Sequence, residues 1–221
     1  MFSPSPAWGS TVRPLGVANV VDGRPEPDHP TMNTRHLSLG LLATLLTVIA
    51  LAVPNDASAA TSCADADLVP TSGNGVALRN STLCLMNEVR ATAGLKPLAA
   101  NTQLRRAAQK HSLQMVRDNF FAHVGPAGDT LIARVRQGTT YLRGALNFAL
   151  GENIAFGSGH LSTPASTVQG WMNSPPHRKN MLNGRYRHVG IGVAIGAPGI
   201  DGGGPAATYT TAFGTRILRT R

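Results

Sequence analysis

From Ala77 to Ala93 the apolar residues Leu78, Leu85, Met86 and Val89 recur at helical spacing, with Arg79, Asn87, Glu88 and Arg90 elsewhere. That period predicts a helix with one buried stripe, and Gly94 stands where such a helix stops. After Lys96-Pro97-Leu98, Asn101 has the chemistry of an N-cap. Leu104, Ala108, His111 and Met115 then mark the cleanest helical face in the chain. His111, on that face, reads as a core histidine tied to a backbone carbonyl. Thr130 to Gln137 predicts a short helix, with Leu131, Ile132 and Val135 on one side and Arg134 and Arg136 on others. Thr163-Pro164 is an N-cap followed by proline at the first helical position, and Val168, Trp171 and Met172 give the apolar face of another long helix. Ser174-Pro175-Pro176-His177 repeats the same grammar, predicting a short helical turn from Pro175 to Leu182 with His177 at its start.

Alternation replaces the helical period elsewhere. Val189, Ile191, Val193 and Ile195 alternate with glycine or alanine, and Tyr209, Thr211 and Phe213 alternate within Thr208 to Thr215. The Gly-rich run Gly196 to Pro205 reads as the loop between these two strands. Asn147 to Phe156 reads as a further strand, and the first half of Tyr141 to Leu150 as irregular. Helices on both faces of a small antiparallel sheet, an α+β domain, is the architecture this order predicts.

Ahead of that domain, Met1 to Thr31 shows no periodic apolar face and reads as disordered or as lying before the true start. Residues 32–59 have the form of a secretory signal: Arg35-His36, an apolar run from Leu37 to Val53, and Ala57-Ser58-Ala59 as a small-residue cleavage site. A membrane anchor is the alternative for a run of this length. The remainder divides into an extension over 60–80, one domain over 81–216 and a tail over 217–221. Its length suffices for a single core.

From Ala60 onward there are 17 Lys and Arg against 7 Asp and Glu, a net of +10. Such a balance suits an anionic cell-envelope polymer or surface. The cations fall in singles and pairs, with no basic helix face and no interleaved aromatics, which argues against nucleic acid. The two cysteines, Cys63 and Cys84, read as one disulfide in an exported chain. No C-x-x-C pair exists to suggest a zinc cluster at the cysteines.

Candidate chemistry comes from three separate segments. His123 stands at the onset of a loop after Phe120-Phe121, Glu152 lies in Gly151-Glu152-Asn153-Ile154-Ala155-Phe156-Gly157, and His177 follows Ser174-Pro175-Pro176. Two neutral imidazoles suit a divalent transition metal, zinc above all, and a carboxylate beside them can orient water or act as a further ligand. The same three groups would also serve as a metal-free proton-transfer set. His188 reads as a rim or structural residue, His160 as a solvated loop residue and Trp171 as core. No nucleophile elbow, P-loop or dinucleotide fingerprint occurs.

In this order and spacing the segments resemble the CAP superfamily, related to cysteine-rich secretory and pathogenesis-related proteins, and most closely its bacterial branch. The resemblance runs from Leu83 to Gly214. It implies an α-β-α sandwich and a cleft that often carries two His and two Glu. His123, Glu152 and His177 match three of these; the second Glu is replaced by Ser174. A metal held by His123 and His177 survives that loss, whereas acid–base work by a carboxylate pair does not. Asn153, Asn180 and Ser174 are expected to line the cleft, and Arg134, which resembles an arginine frequent in the bacterial branch, to brace the loop bearing His123. Three functions follow as expectations: a monomeric binder of zinc or another divalent metal together with an extracellular lipid, glycan or peptide; a metal-assisted hydrolase of envelope peptide or glycan using Glu152; or a surface scaffold. Fold alone does not choose among them.

Overall fold

The computed structural model describes residues 63–200 and 204–219. The readings for 1–31 and 32–59 lie outside the described residues. Helix α1 (Gly75–Thr92) ends at Gly94, whose φ of +68° is left-handed. Next come a two-residue strand β1 (Ala99–Ala100), α2 (Thr102–Arg117) and α3 (Leu131–Gly138). Strand β2 (Ala145–Ser158) is followed by a 3-10 turn (Gly159–Ser162), α4 (Pro164–Asn173), α5 (Pro175–Met181), β3 (His188–Ile195) and β4 (Ala206–Leu218). The expected caps are formed. Asn101 Oδ1 accepts from the backbone N–H groups of Gln103 and Leu104, both at 3.0 Å, and Thr163 Oγ1 from Ser166 at 3.3 Å.

Four strands form one sheet in the order β1-β3-β4-β2. β3 and β2 each run antiparallel to β4, while β1 adds a short parallel step beside β3. That step went unread because two alanines carry no alternation. β2 and β4 both run past the expected strand limits, since they stay paired without a shift from Ser158↔Ala206 to Asn147↔Ile217 and, past a bulge, on to Ala145↔Leu218.

The sheet separates two cores. On one face Leu78, Met86, Val168 and Trp171 from α1 and α4 pack on Val189, Ile191, Val193, Tyr209 and Phe213. On the other, Leu104, Ala107 and Ala108 of α2 join Leu131 and Val135 of α3, Tyr141, Leu150 and Ala212. This is the α-β-α sandwich. α2 sits unusually close to β3 because Gly190 and Gly192 occupy the strand positions beneath it. Both cores and the disulfide Cys63–Cys84 lie within the described residues. The bridge spans 21 residues of sequence, a loop whose closure stabilises the fold by about 3 kcal/mol.

Both sheet edges are capped by side chains. Along the open edge of β3, the Gln109 amide donates to Val193 O at 2.8 Å and accepts from Val193 N at 3.1 Å. Along the outer edge of β2, the carbonyls of Leu150, Glu152 and Ile154 accept from Tyr186 Oη, Asn180 Nδ2 and Trp171 Nε1. Unpaired edge groups are thereby satisfied without another strand.

Two sequence expectations are corrected. Arg90 belongs to the core rather than to the polar side of α1: it is fully buried, with Nε donating to Lys96 O and Nη1 to Met181 O and Asn183 O. And α2 does present a basic face, because Arg105, Arg106, Lys110 and Arg117 are all exposed on a helix with no acidic residue. The linear sequence scatters these cations; the helical period gathers them.

Candidate functional site

β2 is an edge strand with one helical layer on each side, so groups from both layers meet beyond its outer edge. Glu152 points towards α2 and α3, and its neighbour Asn153 towards α5. Asn153 Nδ2 donates to His177 O at 3.1 Å, and Asn180 Nδ2 to Asn153 Oδ1 at 2.9 Å and Glu152 O at 3.1 Å. The two asparagines, at 0% and 4% exposure, thus tie α5 to β2 and set the place of His177. Ser174 is the hinge between α4 and α5, with its carbonyl accepting from Arg178 N.

Every residue of Phe120-Phe121-Ala122-His123 is anchored. Phe120 N donates to Met115 O, and the Phe120 ring lies against His111 at 6.0 Å. Phe121 meets Phe156 of β2 edge-on at 4.8 Å. His111 Nε2 lies 2.9 Å from Ala122 O, so that nitrogen carries the proton and donates, the core role its place on α2 predicts. Arg134 Nη1 donates to His123 O at 3.0 Å and to Asp129 O at 2.7 Å. The guanidinium is almost wholly buried and braces the loop as the sequence suggested.

The Glu152 carboxylate, 4% exposed, is engaged at both oxygens: Oε1 with His123 Nδ1 at 2.9 Å, and Oε2 with Arg134 Nη2 at 2.5 Å. Burial alone would raise its pKa. The hydrogen bond from His123 and the charge of Arg134, with further help from His111, hold it below the usual carboxylate value instead. An ionised Glu152 accepts from Nδ1 of His123, and in the neutral ring that tautomer carries its lone pair on Nε2. Among the described residues that Nε2 has no hydrogen-bond partner, and neither does Nδ1 or Nε2 of the fully buried His177. Burial, with the His123 imidazole adding, pushes the His177 pKa down to about 4, so His177 is neutral at physiological pH.

That shift has a measurable consequence in the metal-free protein. The unfolded chain takes up this proton near the ordinary histidine value of about 6.5, and the folded chain only near 4. In between, the unfolded state binds more protons, so stability is complete above that window and falls as pH drops through it. Thermal melts between neutral pH and the lower end of the window should show this slope, and His177→Gln should flatten it. A His177→Gln profile parallel to wild type would remove His177 as the cause.

The remaining sequence candidates fall elsewhere. His188 Nδ1 is hydrogen-bonded with Tyr141 Oη at 3.0 Å at the start of β3, a structural role. His160 is exposed in the 3-10 turn. Trp171 is core. Among the described residues, Cys63, Cys84 and Glu88 place three metal-type ligand atoms within 4.8 Å of one another, but both sulfurs are already joined in the disulfide.

The profile of the CAP family, described as the cysteine-rich secretory protein family, matches residues 83–211, more than half of the chain. Together with the α-β-α layers and the edge-strand site, it places the chain in the CAP family, as a member of its bacterial branch. In Bacillus subtilis, YkwD is 37% identical over 109 residues, 49% of this chain and 39% of its own length, and the membrane protein YlbC is 37% identical over 111 residues, 50% and 30%. The chain therefore spans less than half the length of these curated relatives. An extracellular SCP-domain protein of Bacillus anthracis superposes with a TM-score of 0.50 at 29% identity, covering 68% of this chain and 45% of that one. An outer surface protein of Borrelia burgdorferi shares the fold at a TM-score of 0.52 and 17% identity, covering 67% and 98%.

Proposed function

We propose that this is an exported CAP-domain binding protein whose His123 and His177 take one divalent metal, zinc by preference, as the floor of a cleft for an extracellular lipid, glycan or peptide. The observation that carries the reading is the set of buried imidazole nitrogens without hydrogen-bond partners among the described residues: Nε2 of His123 and both nitrogens of His177. Buried polar atoms are ordinarily satisfied, and neutral imidazole is a good zinc ligand. Glu152 supports the reading as the group that fixes the His123 tautomer, the arrangement that orients ligating histidines elsewhere. When bound, the metal supplies Lewis acidity towards a ligand in the cleft. The disulfide and the extracellular relative support export.

Binding is favoured over hydrolysis because both Glu152 oxygens are held by His123 and Arg134. A general base needs a free oxygen within reach of its water. Two protein ligands also fall short of the three that catalytic zinc sites supply. Calorimetric titration of metal-stripped protein with zinc at neutral pH should give one site per chain. Binding should vanish in His123→Ala/His177→Ala, and Glu152→Gln should weaken it by about 10–100-fold, as loss of an orienting partner does. Absence of stoichiometric binding in wild type would sink the metal reading and leave a ligand groove.

A further inference from the structure

The β2–β4 ribbon outruns the rest of the sheet. β3 reaches its last pairing with β4 at His188↔Gly214, whereas β2 and β4 remain paired out to Ala145↔Leu218, with a bulge between Ala145 and Asn147. The overhanging end carries Leu146 and Ile217, each 62% exposed, and Leu218 at 47%. Aliphatic residues scattered singly over a surface are ordinary; here three are gathered at the end of one ribbon, with the consecutive Ile217 and Leu218 projecting from its two faces.

The chain around this tip is cationic and has no carboxylate nearby in sequence. No Asp or Glu occurs between Asp129 and Glu152, or after Asp201. Arg136, Arg143 and Arg219 are exposed there, and Arg216 lies over the Tyr141 ring at 4.6 Å. Arg136 lies over the ring of Phe148 on β2 at 5.7 Å, and Arg136 and Arg143 line a shallow surface pocket with Thr139 and Leu142. Exposed guanidinium groups suit a phosphate or phosphodiester.

We propose that this tip docks on an anionic lipid surface, with Leu146, Ile217 and Leu218 at the boundary between headgroups and acyl chains and Arg136 and Arg143 on lipid phosphates. Charge complementarity alone fits any polyanion. The aliphatic tip selects the bilayer, because exposed leucine and isoleucine gain from an acyl boundary and gain little from a hydrated polymer. The basic face of α2 shows the contrast: its four cations surround a single exposed aliphatic residue, Leu113, so it attracts anions without an anchor. Six residues of strand, roughly 20 Å, separate Leu146 from Glu152, so the tip and the His123/His177 cleft are different surfaces and the proposal stands apart from the metal reading.

The test is co-sedimentation of residues 60–221, which contain both cores and the disulfide and omit the apolar run Leu37–Val53 that would partition by itself. Vesicles of phosphatidylcholine with one third phosphatidylglycerol are compared with pure phosphatidylcholine, and far-UV circular dichroism checks that each variant folds. Wild type should sediment with the anionic vesicles alone, and less as salt rises. Leu146→Ser/Ile217→Ser/Leu218→Ser should lower the partition coefficient at least about tenfold, and Arg136→Gln/Arg143→Gln by a similar factor. Arg106→Gln/Lys110→Gln, the same loss of charge on α2, should lower it only a few-fold. Failure of wild type to sediment with anionic vesicles overturns the proposal. So does an aliphatic triple variant that sediments like wild type, which would assign the face to a soluble polyanion, or an α2 pair that matters as much as the tip pair.

Discussion

Gly190→Ala and Gly192→Ala should each lower the denaturant midpoint sharply, and the pair together should abolish cooperative folding. A Cβ at Gly190 would lie 2.0 Å from Arg105 N and 2.1 Å from Leu104 C; at Gly192 it would lie 2.4 Å from both Ala108 C and Gln109 N. These are backbone atoms in the middle of α2, so no rotamer change relieves the contact. The helix would have to lift from β3, loosening the packing of Leu104 and Ala108 and straining the Gln109 bonds to Val193. Overpacking a well-filled core costs about 1–3 kcal/mol when side chains can adjust; here each single change should reach about 3 kcal/mol or more. Against a total stability of about 5–15 kcal/mol, two such changes are decisive. Gly170→Ala is the control, since it makes the same chemical change inside α4 where a Cβ meets nothing within 4 Å. Removing a helix-interior glycine there should stabilise by about 0.5–1 kcal/mol. Equal midpoints for Gly190→Ala and wild type would refute the close approach of helix and strand.

The same glycines show how far the sequence could be read. Val-Gly-Ile-Gly-Val announces a strand by its alternation, and the N-caps Asn101 and Thr163 announce the helices behind them, because both signals are local. Which helix rests on the glycine face is not local, and nothing in the strand names α2. Arg90 and Arg134 make the point more sharply. Each lies among polar positions on its own helix, yet each is buried because it collects carbonyls from elsewhere, in Arg90's case 91 and 93 residues along the chain. For the candidate site, the family resemblance pointed to His123, Glu152 and His177, and spacing alone would not have. The anchoring residues were only partly legible. Arg134 entered through resemblance, while the role of Asn153 and Asn180 in tying α5 to β2 depends on the edge position of β2, which follows from strand order and not from any motif.

Arg134→Met should be the most damaging change near the cleft, although Arg134 is not a candidate ligand. It removes the donors to Glu152, His123 O and Asp129 O together. Glu152 is then left 4% exposed with the His123 ring as its remaining hydrogen-bond partner. Breaking a buried pair from one side costs about 3–5 kcal/mol, because the remaining charge stays desolvated. The carboxyl must then titrate higher, so the loss should be greatest at neutral pH and shrink as acid protonates Glu152. Zinc affinity should also fall, since His123 loses both the brace on its carbonyl and a firmly ionised acceptor at Nδ1. Arg134→Lys keeps the charge but not the planar fork that reaches three acceptors, and should recover only part of the stability. Arg134→Met/Glu152→Gln discriminates between electrostatics and packing. With the buried charge gone, the double variant should be more stable than the sum of the two single losses by well over the roughly 0.5 kcal/mol expected of independent sites. Additive losses would mean that Arg134 acts by filling space, and the electrostatic account of how the site holds His123 would fall with it.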